Sequence, residues 1–182
     1  MDIDPAGSEP EDTLIEPFSD NLESHHAAVF RYLYRMTGNW EEAQDLTQEA
    51  FTRWASHQSP MEGRDADRRW LFVVARNLAL SQLRRQARTR EHAANYRATG
   101  ILHDPSPMDL ESANETAEIV ARAISELPLD MREIVILREY ESMTYDEIAN
   151  IVGTAIGTVK SRLARARAIL RKKLSVILEA EK

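Results

Sequence analysis

Apolar residues recur along this chain at the three- and four-residue spacing of one helix face, and no alternating strand pattern rises above noise. Ser24 to about Thr37 carries Val29, Phe30, Leu33 and Met36 on one face. Gly38 breaks that pattern, and Asn39 caps a second helix over about 40–56 with Glu42 three residues later. Its buried stripe reads Ala43, Leu46, Ala50 and Trp54. His57 to Asp67, with Pro60 and Gly63, reads as a loop. A third helix runs from about Arg68 to the low nineties on a core stripe of Leu71, Val74, Ala75 and Leu78. Farther on, a helix near Ser112 to Leu127 is capped by Ser112 and Glu115, and Pro128 opens another that carries Ile134, Val135 and Leu137. The predicted fold class is all-α.

The last pattern carries the most information. Thr144 and Glu147 have the spacing of a capping box, Ile148, Ala149 and Val152 face inward, and Gly153 is a left-handed stop. Thr154 is placed to cap a following helix, and so short a turn sets two helices at a steep angle. Winding residues 155–174 at a hundred degrees per residue gathers Ile156, Val159, Leu163, Ala166, Leu170 and Leu174 on a core arc. The opposite arc has Gly157, Ser161, Ala164 and Ala168 along its middle, with Thr158, Lys160, Arg165, Arg171 and Lys172 on its shoulders. Small central residues let a helix sink into a major groove while the shoulders reach phosphates and base edges. Lys160 to Lys173 holds seven basic residues and no acidic one. Taken alone, such a run also suits a solvated face; the capped first helix and glycine turn tilt it towards DNA.

Charge looks unfavourable for that reading until it is divided along the chain. The net charge is −7, but residues 1–23 hold eight acids and no base, which leaves 22 acids against 23 bases and a net of +1 for the rest. With three prolines and a glycine in its first seventeen residues, the stretch 1–23 reads as a disordered acidic tail that either aids solubility or screens a basic surface. Between Arg97 and Arg122 no base appears, and Pro105, Ser106 and Pro107 sit among acids. This reads as a flexible acidic linker between two small helical domains with separate cores. The predicted division is tail 1–23, first domain 24–97, linker 98–112 and second domain 113–182, the last containing the helix-turn-helix.

At 182 residues and 43% hydrophobic content, two small cores fit better than one large one. No run of eighteen apolar residues and no charged-then-apolar amino terminus occurs, so no segment is expected to span a membrane or direct export. Zero cysteines exclude disulfides and thiolate metal sites and fit a reducing cytoplasm. His25 and His26 are adjacent, so they diverge on a helix and make no metal pair. With no glycine-rich phosphate loop or nucleophile motif, no enzyme, metal or cofactor is expected.

Four stretches in order, Leu33 to Trp54, Arg68 to Arg85, Glu126 to Ala149 and Gly157 to Leu174, resemble the extracytoplasmic-function group (group IV) of bacterial RNA polymerase sigma factors. The resemblance implies a transcription factor that makes core RNA polymerase recognise promoter DNA. It places core docking at Asp45, Leu46, Gln48, Glu49 and Phe51, and the helix wheel adds Glu41 to that polar face. It places minus-10 contacts on Arg76, Asn77, Arg84, Arg85 and Arg88, with Trp70 or Phe72 as stackers if they are not core. For the minus-35 element it points to Gly157, Thr158, Lys160, Ser161, Arg162 and Arg165, with Arg162 placed on the side of the helix where it suits a phosphate. An anti-sigma factor is an implied partner. Thr154 and Ala155 depart from the apolar residue and proline that many members carry there. The alternative is an autonomous helix-turn-helix regulator.

Overall fold

A computed structural model describes residues 16–57, 64–93 and 115–180, and among these every regular element is helical. The first unit comprises α1 (Glu16–Thr37), α2 (Trp40–Ala55) and α3 (Arg64–Ala93). The second comprises α4 (Glu115–Ser125), α5 (Leu129–Val135) running into a π turn (Ile136–Tyr140), α6 (Tyr145–Val152) and α7 (Ile156–Ala180).

Local chemistry explains the joints. Gly38 takes φ 70°, a left-handed conformation that glycine adopts without strain, and its N–H closes α1 on the Tyr34 carbonyl at 2.8 Å. Asn39 then caps α2 by accepting from the Glu42 N–H at 2.9 Å. Thr144 and Glu147 form both halves of the capping box on α6, and Gly153, at φ 71°, ends it. Ala155, whose carbonyl accepts from Thr158 and Val159, holds the N-cap position of α7, so the cap expected from Thr154 is replaced by a residue with no side-chain acceptor.

Two helices begin earlier than their apolar patterns. α1 includes Glu16 to Glu23, which the sequence assigned to the tail, and α3 includes Arg64 to Asp67, which it assigned to the loop. The second extension is polar, and in the first the Phe18–Leu22 spacing lies among acidic residues and Pro17, which read as tail. The rest of the tail, the loop residues 58–63, the linker 98–112 and the Ser112 cap lie outside the described residues.

Inside the first unit, Val29, Tyr32, Leu33 and Met36 of α1 are buried with Ala43 and Ala50 of α2 and with Leu71, Phe72, Ala75 and Ala79 of α3. Each large side chain so buried contributes roughly 1.5–3 kcal/mol. Leu46 and Trp54 are half-buried, and Thr47 takes the fully buried position on α2 by donating its hydroxyl to the Ala43 carbonyl at 2.6 Å. Val74 and Leu78 are likewise half-buried, while Phe72 lies edge-on to Tyr32 at 5.5 Å. The two units do not keep separate cores. α6 packs on α3, α1 meets α4 and the π turn, and one continuous apolar cluster runs from Val29 to Ala166.

Candidate nucleic-acid and protein interfaces

Three surfaces carry the residues singled out by sequence. On α2, Glu41, Asp45, Gln48 and Glu49 are exposed while Leu46 and Phe51 are half-buried at the rim. Glu49 pairs with Arg53 one turn on at 2.8 Å, whereas Asp45 has no ion-pair partner among the described residues. Beside this face a groove of about 760 Å³ opens between α1 and α2, with Phe30, Trp40 and Phe51 as its apolar walls and Gln44 and Gln48 at its mouth. The surface is therefore acidic and amide-rich around an apolar seam, suited to a basic helix with an apolar ridge.

On α3, Asn77, Arg84, Arg85 and Arg88 are exposed along the helix. Arg76 is not with them. Its Nε donates to Glu133 Oε2 at 2.8 Å and its Nη2 to Glu133 Oε1 at 3.3 Å, so this cation is engaged by the second unit. The resemblance implied Arg76 as a minus-10 contact, and a partner 57 residues away leaves no local sign of this pairing. Burial holds the Glu133 carboxyl above the usual range, against the pull of the Arg76 hydrogen bonds. Trp70 is half-buried with its ring 5.1 Å from that of His57, and the Trp54 indole N–H reaches Asp67 at 3.1 Å. Phe72 is fully buried, which removes it as a base-stacking residue.

On α7, Val159, Leu163 and Ala166 are buried and Leu170 and Leu174 half-buried, while Ile156 is 38% exposed and leaves the expected core arc. The outer face carries Gly157, Lys160, Ser161, Ala164, Arg165 and Ala168, all exposed, with Thr158 half-buried. A Cβ added at Gly157 meets nothing within 4 Å, so this end of the helix faces open space. Lys160 sits 5.6 Å from the centre of the Tyr145 ring, and Arg138 is 4.9 Å from the same ring. Arg162 instead pairs with Asp130 at 3.2 Å, which draws it off the outer face. Arg165 is exposed and has no ion-pair partner among the described residues.

Sequence analysis missed the acidic members of this arrangement, Glu133 and Glu141, whose side chains are 3% and 2% exposed. One signal was present: Glu133 precedes the apolar run Ile134 to Leu137, where a carboxylate is buried only with a partner. Among the described residues no group of three His, Asp or Glu side chains is assembled to hold a metal, and no helix is long and apolar enough to cross a membrane.

Residues 22–89 match the family model for sigma-70 region 2, and residues 117–170 match that for sigma-70 region 4. The ECF RNA polymerase sigma factor SigE of Mycolicibacterium smegmatis is 34% identical over 88% of this chain, which spans 63% of that protein. The ECF RNA polymerase sigma-E factor of Escherichia coli is 34% identical over 74% of each chain. The chain belongs to the extracytoplasmic-function RNA polymerase sigma factors. Among solved structures, the sigma factor RpoE of Bartonella quintana, crystallised with the anti-sigma factor NepR, is 27% identical, with a TM-score of 0.67 over 89% of this chain and 99% of that one. Sigma factors work with core RNA polymerase and promoter DNA and are initiation factors rather than enzymes. Similarity across both units sets aside an autonomous helix-turn-helix regulator.

Proposed function

We propose that this ECF sigma factor, a cytoplasmic member of group IV, divides initiation between 24–97 (region 2) and 113–182 (region 4), tethered by 98–112. The α2 face built from Glu41, Asp45, Leu46, Gln48, Glu49 and Phe51 docks on core polymerase. Asn77, Arg84, Arg85 and Arg88 of α3, joined by Arg76 once Glu133 releases it, hold the minus-10 strand through base edges and phosphates. Gly157, Thr158, Lys160, Ser161 and Arg165 of α7 enter the major groove of the minus-35 element, with Arg162 on a phosphate at its flank. The observation that supports this reading best is the outer face of α7, where small exposed residues flank Arg165, which has no ion-pair partner among the described residues. An anti-sigma factor is the fitting regulator, in keeping with the Bartonella neighbour's complex with NepR.

Run-off transcription with purified core polymerase on a promoter library tests the division. Asp45→Arg is expected to lose core association and transcription on every template. Arg165→Ala should retain core association yet lose about 1–3 kcal/mol of discrimination between preferred and altered minus-35 sequences. Normal core association by Asp45→Arg removes the docking assignment, and unchanged template ranking by Arg165→Ala removes the base-reading one.

A further inference from the structure

Of the seven cations between Lys160 and Lys173, three are neutralised within their own unit: Arg162 pairs with Asp130, Arg167 with Glu139 and Lys173 with Glu126. Lys160, Arg165, Arg171 and Lys172 are exposed and have no ion-pair partner among the described residues. At a hundred degrees per residue, Lys160 and Arg171 share one shoulder of α7 and Arg165 and Lys172 the other. Gly157, Ser161, Ala164 and Ala168 run between them, all exposed. An extended acidic segment laid along this channel of small residues meets a cation on either side.

The chain supplies such a segment. Residues 1–15 hold Asp2, Asp4, Glu9, Glu11 and Asp12 and no base. They precede α1, whose amino-terminal half lies at the same end of the molecule as the helix-turn-helix. There burial, and then the Arg68 charge, hold the His25 imidazole below its ordinary value. Arg68 also donates to the Glu141 carbonyl at 2.8 Å, three residues before the cap of α6, and Lys160 lies 5.6 Å from the Tyr145 ring centre. Packed helices stand about 8–10 Å apart, so α7, reached from α3 across α6, is within roughly 20 Å of α3. Fifteen extended residues span at most about 50 Å, and those from Glu9 to Ile15 about 25 Å. The other basic face fits less well. Leu83 and Gln86 line a cavity with Arg35 and Thr37, so Arg84, Arg85 and Arg88 lie level with the far end of α1. At 22 residues α1 is about 33 Å long, which puts them beyond Glu9, Glu11 and Asp12. The α2 face, with Glu41, Asp45 and Glu49, repels an acidic segment.

We propose that residues 1–15 lie along the outer face of α7 when no DNA is bound, their carboxylates standing where phosphates would, so that the chain screens its own minus-35 reader. Each exposed charge contact is weak, but the segment is tethered, and its effective concentration at the face is about millimolar. Duplex DNA, with a charge roughly every 1.7 Å of its axis, displaces it. The contact needs only the charges of α7. Its regulatory consequence rests on the assignment of α7 to the minus-35 element.

The chain has no cysteine, so a nitroxide on Ser8→Cys carries the only label in the full-length protein and broadens the amide signals of whatever it lies against. Broadening is expected at Gly157, Ser161, Ala164, Arg165 and Ala168, and not at Arg84, Arg85 and Arg88. It should vanish in the labelled chain that also carries Asp2→Asn, Asp4→Asn, Glu9→Gln, Glu11→Gln and Asp12→Asn. It should vanish equally at about 1 M salt, where the screening length is roughly 3 Å. Arg171→Gln with Lys172→Gln, at exposed positions outside the proposed DNA contacts, should about halve it, and unshifted core amides report that α7 is intact. Adding a short DNA duplex of mixed sequence should restore the α7 signals as it displaces the segment. Broadening centred on α3, none on either helix, or an effect that survives neutralisation of the five acids or of Arg171 and Lys172 overturns the contact. Broadening that persists while the duplex shifts the α7 signals overturns the competition. A duplex that leaves α7 unshifted removes the minus-35 assignment and the screening with it, while the contact stands.

Discussion

At the scale of single residues, the first helix of the helix-turn-helix is fixed at its start by its cap. The Thr144 hydroxyl and backbone N–H both donate to Glu147 Oε2 at 2.7 Å, and the Glu147 N–H donates back to Thr144 Oγ1 at 3.3 Å. Thr144→Ala should therefore lower stability by about 1 kcal/mol in urea unfolding. Those hydrogen bonds, the hydroxyl's first, hold the Glu147 carboxyl below its usual range. A carboxyl depressed in the folded state contributes stability that is present above its unfolded value and is lost as pH falls through the folded one. The Glu147→Gln penalty should accordingly be full at neutral pH and shrink as the pH drops below the ordinary glutamate value of 4.5. A penalty that grows on acidification contradicts this role. The capping box was legible because it is written within four residues, and the same holds for the Asn39 cap. The pairing of Arg76 with Glu133 was illegible for the opposite reason: a partner far off in the chain leaves no local trace, and an arginine on a basic helix looks free.

At the scale of elements, helical periodicity fixed the order of the helices and most of their buried faces, but not their ends. It also gives the direction of a side chain without saying whether a neighbour stands there, and so Ile156, expected on the core arc, is 38% exposed. On the face proposed to read DNA the same helix carries Gly157 in its first turn, where helix propensity alone favours alanine. The added methyl of Gly157→Ala meets open space, so the variant should be more stable than the parent by about 0.5 kcal/mol. If that space is where the helix approaches the groove floor, the same methyl should weaken transcription from minus-35-dependent promoters. Thermal unfolding and run-off assays on one preparation separate the two effects. A variant that gains stability and transcribes like the parent places the groove contact farther along α7, towards Ala164 and Arg165.

At the scale of the whole molecule, the sequence showed two units and a tether, and it could not show that the units close on each other. That closure joins apolar residues of both units in one cluster and sets Arg31 and Arg76 against Glu141 and Glu133, a complementarity visible only once both helical surfaces exist. Its consequence for unfolding follows from size. A helical unit of some 60–70 residues buries too little surface to be more than marginally stable alone, so each gains from the other's face in the closed form. The parent should therefore unfold in one calorimetric transition whose measured enthalpy equals the van't Hoff value. If the Arg76–Glu133 pair carries that mutual support, Glu133→Gln removes it and the less stable unit should melt separately. With units of this size, each kcal/mol of lost coupling lowers its midpoint by roughly 4–8 °C. Two resolved transitions in the variant against one in the parent would show that charge pairing between the units sets cooperativity. A single unshifted transition in both would mean that the continuous apolar cluster, rather than the ion pairs, holds them together.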